Sequence, residues 1–179
     1  MLRAHGVKRI VDVRTIPKSR HNPQFGEDRL GPSLDAEGIG YQRIEALGGL
    51  RHPRPDSIND AWRNTSFRGY ADYMQTHSFR GGLEELLAAA REERVAIMCA
   101  EAVPWRCHRS LIGDALLVRG NRVLDIMTET DARPHAMTRF ARVDGLEVTY
   151  PAGDGLELPP AGTSSAGHAA LDSPDSAPA

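Results

Sequence analysis

Short apolar runs alternate with longer amphipathic stretches along this chain, and the alternation assigns most of its elements. Residues 10–13 (IVDV) have strand length and, apart from the acid within them, the apolar character of a buried parallel strand. Ahead of them LRAHG reads as the last turn of a helix, with Gly6 at the left-handed position that follows a helix end. No earlier helical turn precedes it, so the chain is expected to start midway through a β-α-β unit. A loop with two prolines, TIPKSRHNPQFG, leads into a short helix from about Asp28 to Glu37, interrupted at Gly31-Pro32 and stopped at Gly38. Tyr41–Ile44 forms a second strand, and ALGGLRHPRPDSINDAWRN has the length and composition of a functional loop.

Ser66 is expected to cap a helix over Phe67–Met74. Ser78 is expected to cap FRGGLEELLAAAREE, where Leu83, Leu86, Leu87 and Ala90 share one face. Val95–Cys99 is the most convincing central strand. Cys107–Arg119 follows as a helix with Leu111, Ala115 and Val118 inward and Gly120 at its end. Val123–Ile126 is another strand, and Asp144-Gly145 is placed to turn a hairpin between ARV and LEVTY. Strands alternating with helices give an α/β fold. It is three-layered, with a mostly parallel sheet of about four strands and flanking helices.

Composition divides the chain in two. From Ala152 onward, 28 residues carry four acids and no Lys or Arg. Residues 152–179 read as a disordered acidic tail rich in Pro, Ala, Gly and Ser, and residues 1–151 as a single α/β domain. The whole chain has 22 basic and 24 acidic side chains, a net charge of −2, whereas the domain alone carries +2. Twenty of the 22 bases are arginine, which suits forked contacts to carboxylate or phosphate and is also what a GC-rich genome encodes. No run of 18 apolar residues is present, and the start lacks the pattern of a secretory signal, so a cytoplasmic protein with no membrane partner is expected. The two cysteines are then free thiols.

Ligands of parallel sheets sit outside the carboxyl ends of the strands. Polar residues gather in the loops that should lie there: Arg14, Lys18, Ser19, Arg20 and His21 after the first strand; Arg51, His52 and Arg54 after the second; Cys99, Glu101, Arg106, Cys107, His108 and Arg109 after the third. This makes a cationic rim, expected to hold an anion through Arg14, Ser19, Arg20 and Arg109, with the helix N-terminus near Cys107 adding its partial charge. Cys107, flanked by Arg106, His108 and Arg109 at that terminus, has the setting of a thiolate nucleophile. Glu101 and His108 are the candidates for moving a proton. Cys99, ending a buried strand, is expected to act as a small hydrophobe supporting the site. Asp12, inside an apolar strand, needs a partner such as Arg14, Arg20 or a backbone amide. A phosphatase- or rhodanese-type loop is a near miss, because six residues including Pro104 separate Cys99 from Arg106. A zinc site built from Cys99, Glu101, Cys107 and His108 is the rival. It is set aside because adjacent helical residues diverge by about 100°. Trp62, Phe67, Tyr70 and Tyr73, interleaved with Arg63 and Arg68, could stack on bases, but the helical spacing of Phe67, Tyr70 and Met74 favours core packing.

Three motifs in order, VDVRTIPKSRHNPQF, WRNTSFRGYADYM and CAEAVPWRCHRSLIGDAL, resemble the bacterial family catalogued as domain of unknown function 488, over roughly residues 1–151. The resemblance implies a small cytoplasmic α/β domain whose motif positions cluster at one site: Asp12, Arg14, Pro17, Ser19 and Arg20 with Cys99, Glu101, Cys107, His108 and Arg109. Members of that family open with a strand and a Gly-His-Ser-type turn, and neither has a counterpart here. The sequence thus points to an enzyme acting on a phosphate-bearing substrate, a nucleotide or nucleic acid, at a Cys/Glu/His/Arg site. A non-catalytic nucleic-acid or partner-binding module and a thiol or metal sensor stand as alternatives. The sequence requires no cofactor, zinc being the one metal considered.

Overall fold

The structure, a computed structural model, describes residues 1–18, 21–103 and 106–153. Of the sequence expectations, Ser19, Arg20 and the tail from residue 154 lie outside the described residues. Strand β1 (Arg9–Asp12) is flanked on one side by β2 (Gly40–Arg43) and on the other by β3 (Val95–Met98), both parallel to it. The middle of the sheet is therefore β1, and the VAIM strand that reads as central is an edge. The physical reason is in its side chains: every residue of β3 is only half-buried, whereas Ile10, Val11 and Asp12 are buried.

Side-chain alternation along β1 and β3 builds a layer on each face. Ile10, Ala96 and Met98 face Leu30 and Leu34 of helix α1 (Glu27–Asp35) together with Ile39. Val11, Val13, Val95 and Ile97 face Tyr70 and Ala71 of α2 (Thr65–Tyr73), Phe79, Leu83 and Leu86 of α3 (His77–Glu92), and Leu111, Ile112 and Ala115 of α4 (Arg109–Leu117). That is the expected three-layer α/β arrangement. Helix α1 continues through Gly31-Pro32, which the sequence reads as an interruption. Gly31 packs over the Tyr41 ring, where even a Cβ would make only an ordinary contact at 3.5 Å, so the helix rests on β2.

The caps differ from those expected by two residues. Asn64 Oδ1 accepts from Ser66 N at 2.9 Å and opens α2, and Thr76 Oγ1 accepts from Phe79 N at 3.3 Å and opens α3. Each side chain reaches an amide that the first helical turn leaves unpaired. The expected fourth strand forms as β4 (Leu124–Ile126). It pairs antiparallel with β5 (Ala132–Pro134), which the sequence does not announce, instead of joining the parallel sheet. The hairpin forms as β6 (Arg142–Asp144) and β7 (Glu147–Thr149), with Gly145 at φ 57° in the turn. Among the described residues no helix is long and apolar enough to cross a membrane.

Candidate functional site

The three parallel strands end on one rim, and the loops that leave them enclose a cavity of about 320 Å³. Residues 14–16, 49–50, 99–101 and 106–108 contribute to its wall, and Ser66, Phe67 and Tyr70 of α2 close one side. This is the position that a parallel sheet dictates for a ligand. Thr15 Oγ1 donates to the Gly49 carbonyl at 2.8 Å and ties the first two loops together.

At the base of the cavity the chain turns from β3 into α4, and several groups converge on one sulfur. Cys107, only 3% exposed, sits two residues ahead of α4. Its Sγ accepts from the Arg109 backbone amide at 3.5 Å and from Arg109 Nε at 3.4 Å, and it lies 3.6 Å from His108 Nδ1. The neighbouring Cys99 side chain is the largest reason that Cys107 is held far below the ordinary thiol range; His108 and the Arg109 amide add to this, and burial opposes it. The same contact and burial push Cys99 well above that range. The pair is thus polarised, with Cys107 the sulfur favoured to lose its proton and Cys99 the one favoured to keep it. Both cysteines are unpaired by disulfide.

His108 is oriented from its far side. Its Nε2 donates to the Val13 carbonyl at 3.0 Å, which leaves Nδ1 facing the sulfurs. The Tyr70 ring packs on the imidazole with centroids 4.8 Å apart. Gly49 approaches so closely that a Cβ there would stand 3.0 Å from Nδ1. The double glycine after β2 was the signal for this approach, and sequence reading placed the loop's function on its arginines instead.

Those arginines are otherwise engaged. Arg51 lies 3.7 Å over the Tyr73 ring and donates to the Gly48 carbonyl, while the Arg54 amide caps Asp72. Arg14 is buried: Nε and NH2 fork onto Asp12, NH1 donates to the Phe25 carbonyl, and Tyr41 Oη donates to Asp12 at 2.7 Å. Burial works against the Asp12 charge, and the bonds from Arg14 and Tyr41 outweigh it, holding the carboxyl below its usual range. Asp12 thus finds the partner it needs, and Arg14 acts as a brace between β1 and the loop before α1. Arg109 NH2 donates to the Glu101 and Ala102 carbonyls, so this guanidinium clamps the loop around Cys107. Arg106, exposed at the cavity wall, makes no side-chain hydrogen bond among the described residues. Glu101, also exposed, lines the same wall, and its backbone amide donates to Cys99 Sγ at 3.2 Å.

The structure therefore brings Cys99, Glu101, Arg106, Cys107 and His108 to one cavity and commits the side chains of Asp12, Arg14 and Arg109 to holding its walls. Missed by sequence reasoning are the apolar members: Ile16 and Leu50 stand at the cavity largely exposed, and Leu50 carries a positive φ of 55°. The aromatic run packs as its helical spacing suggests. Trp62 stacks on Phe67 at 4.6 Å and meets Phe140 and Tyr150 edge-on. The argument that separates Cys107 from His108 as ligands also needs correction. Both precede α4, so the 100° helical divergence does not apply and their side chains face each other.

No curated protein and no solved structure matches the chain. A family model does match, over residues 1–116, which contain the β1 loop, α2 and the whole Cys99–Arg109 corner. The chain belongs to the family described as domain of unknown function DUF488.

Proposed function

We propose that this protein is an enzyme whose reactive group is the Cys107 thiolate and whose substrate is a phosphate-bearing molecule held in the cavity above it. The convergence on Cys107 Sγ carries the reading: two donors from Arg109, the Cys99 thiol and His108 Nδ1 surround it on the protein side, and the cavity lies on the other. Such a sulfur is an activated nucleophile. In the proposed reaction the sulfur attacks phosphorus, an S–P bond forms, and the ester P–O bond breaks with its electron pair leaving on oxygen. Water then cleaves the S–P bond, restoring the thiolate and releasing phosphate. Glu101, on the cavity wall, is the group placed to take the proton of that water, and His108 keeps the proton balance at sulfur. Among the described residues at the cavity wall, Arg106 is the guanidinium available to the phosphate, since Arg14 and Arg109 are spent on Asp12 and on the loop. Ile16, Leu50 and Phe67 give the organic part of the substrate an apolar wall. Two unpaired thiols so close together suit a reducing, cytoplasmic compartment.

The test uses p-nitrophenyl phosphate with the full chain, Cys107→Ser and Cys99→Ser. The expected result is p-nitrophenol release by the wild type with a phosphorylated Cys107 peptide in acid-quenched samples, and loss of both in Cys107→Ser. Equal release by the wild type and Cys107→Ser would overturn the reading.

A further inference from the structure

The same corner meets the requirements of a soft-metal site. Cys99 Sγ, Cys107 Sγ and a ring nitrogen of His108 all lie within 4.8 Å of one another. A tetrahedral zinc ion has Zn–S of about 2.3 Å and Zn–N of about 2.0–2.1 Å, which puts sulfur and nitrogen ligands about 3.6 Å apart. Cys107 Sγ and His108 Nδ1 are 3.6 Å apart.

Three features outside this distance match point the same way. First, His108 offers the correct nitrogen: Nε2 is bonded to the Val13 carbonyl, the outer-shell contact that metal-bound histidines make to fix the ring and expose the other lone pair. Second, each sulfur accepts the backbone amide two residues ahead of it, Glu101 N on Cys99 and Arg109 N on Cys107. A lone catalytic cysteine explains the second of these bonds but not the first. Two sulfurs each supplied with a main-chain donor are prepared to carry negative charge together once a cation stands between them. Third, all three residues line the cavity, so a metal held by them keeps its fourth position open towards that space.

We propose that Cys99, Cys107 and His108 bind one divalent cation of the zinc class, with Cys99 and Cys107 as thiolates, His108 through Nδ1 and the fourth place open to the cavity. The proton of the Cys99 thiol is released to solvent on binding. The inference rests on the proposed role of Cys107 as the reactive group and adds its control: a sulfur bound to metal has committed its lone pair, so loading masks the nucleophile and removal restores it. Three protein ligands with one open place also distinguish this site from a closed structural zinc centre.

Cobalt is the probe. The full chain is stripped with chelator, reduced, and titrated with Co²⁺ while the near-ultraviolet and visible spectra are followed. Thiolate-to-cobalt charge transfer and the strong visible bands of tetrahedral Co²⁺ should saturate at one equivalent. Zn²⁺ should bleach them, and either metal should slow iodoacetamide modification of Cys107 at least tenfold. Cys99→Ser, a conservative change whose folding is verified by its melting curve, should weaken cobalt binding at least tenfold; His108→Gln should shift the spectrum by loss of the nitrogen ligand. Absence of charge-transfer bands, or only the weak bands of octahedral cobalt, overturns the metal site while leaving a fast-reacting Cys107 intact. Saturating tetrahedral bands on a chain whose metal-free Cys107 reacts no faster than free cysteine retain the site and overturn the nucleophile.

Discussion

Two histidines pack against helix α4, and their surroundings differ in the way that separates a folding device from a reactive centre. His135 lies between two carboxylates: Nε2 is 3.2 Å from Asp114 Oδ1 and Nδ1 is 3.0 Å from Asp125 Oδ2. Asp114, fully buried, also accepts from Tyr150 Oη and from the Thr138 amide. Gly113 leaves room for the ring, since a Cβ there would stand 2.6 Å from Nε2. Both ring nitrogens and both Asp114 oxygens are engaged within this group, and none of it lines the cavity. His108 has one nitrogen on a backbone carbonyl and the other on a sulfur, with open space beside them. The lesson is that burial and a perturbed proton do not by themselves mark a functional group; a reactive side chain bordering an open cavity does.

The sharpest way to break this comparison is to remove each ring. His135→Ala should cost about 3 kcal/mol of stability, because it strands the Asp114 charge, and it should leave the reaction of Cys107 with iodoacetamide within twofold of wild type. Urea unfolding and mapped alkylation read the two effects. A large loss of Cys107 reactivity without a loss of stability would reverse the assignment of the two histidines.

A smaller effect follows from pH. The bond to Asp114, then that to Asp125, raises His135 from an ordinary 6.5 to about 9. A group whose folded pKa is raised contributes its full stabilisation below the unfolded value and loses it as pH rises through the folded one. The stability advantage of the wild type over His135→Gln should therefore shrink by on the order of 2 kcal/mol between pH 6.5 and about 9.5, a difference in which contributions from other groups such as Cys107 cancel. Denaturant midpoints of both proteins across that interval decide it; a difference that stays constant with pH would mean that the cluster does not hold a charged ring.

The smallest expected effect concerns the cavity edge. Leu50 is 72% exposed with a positive φ, so its backbone is strained and its side chain buries little. Leu50→Gly should raise stability by about 1 kcal/mol, while weakening turnover of substrates with an apolar group several-fold. Thermal melts and KM measurements test both halves, and a destabilised variant would remove strain from the account.

The sequence carried the layers of the fold well because two alternating faces, Ile10/Ala96/Met98 and Val11/Val95/Ile97, were written as apolar runs. Strand order was not legible: VAIM, with no charge inside it, reads as more central than IVDV, and only pairing reveals that β1 has neighbours on both sides. β5 was invisible because Ala132–Pro134 is three residues with a proline and no apolar pattern. Within the site, the presence of Cys107, His108 and Glu101 at one strand end followed from the topology. The spending of Arg14 and Arg109 did not, because a guanidinium's partner is set by where Asp12 and the Glu101 carbonyl fall in space. The nearness of Cys99 to Cys107 was hidden for the same reason: a strand-end thiol looks like packing until a second sulfur is seen beside it.

The central claim, that Cys107 is a thiolate facing the cavity, is tested most directly by mass-resolved iodoacetamide modification of the metal-free full chain at pH 6.5. The account predicts that Cys107 is labelled at least tenfold faster than Cys99, and that His108→Gln reduces this rate by about tenfold with little change in melting temperature. Labelling of the two cysteines at equal rates, both no faster than free cysteine at the same pH, would contradict it.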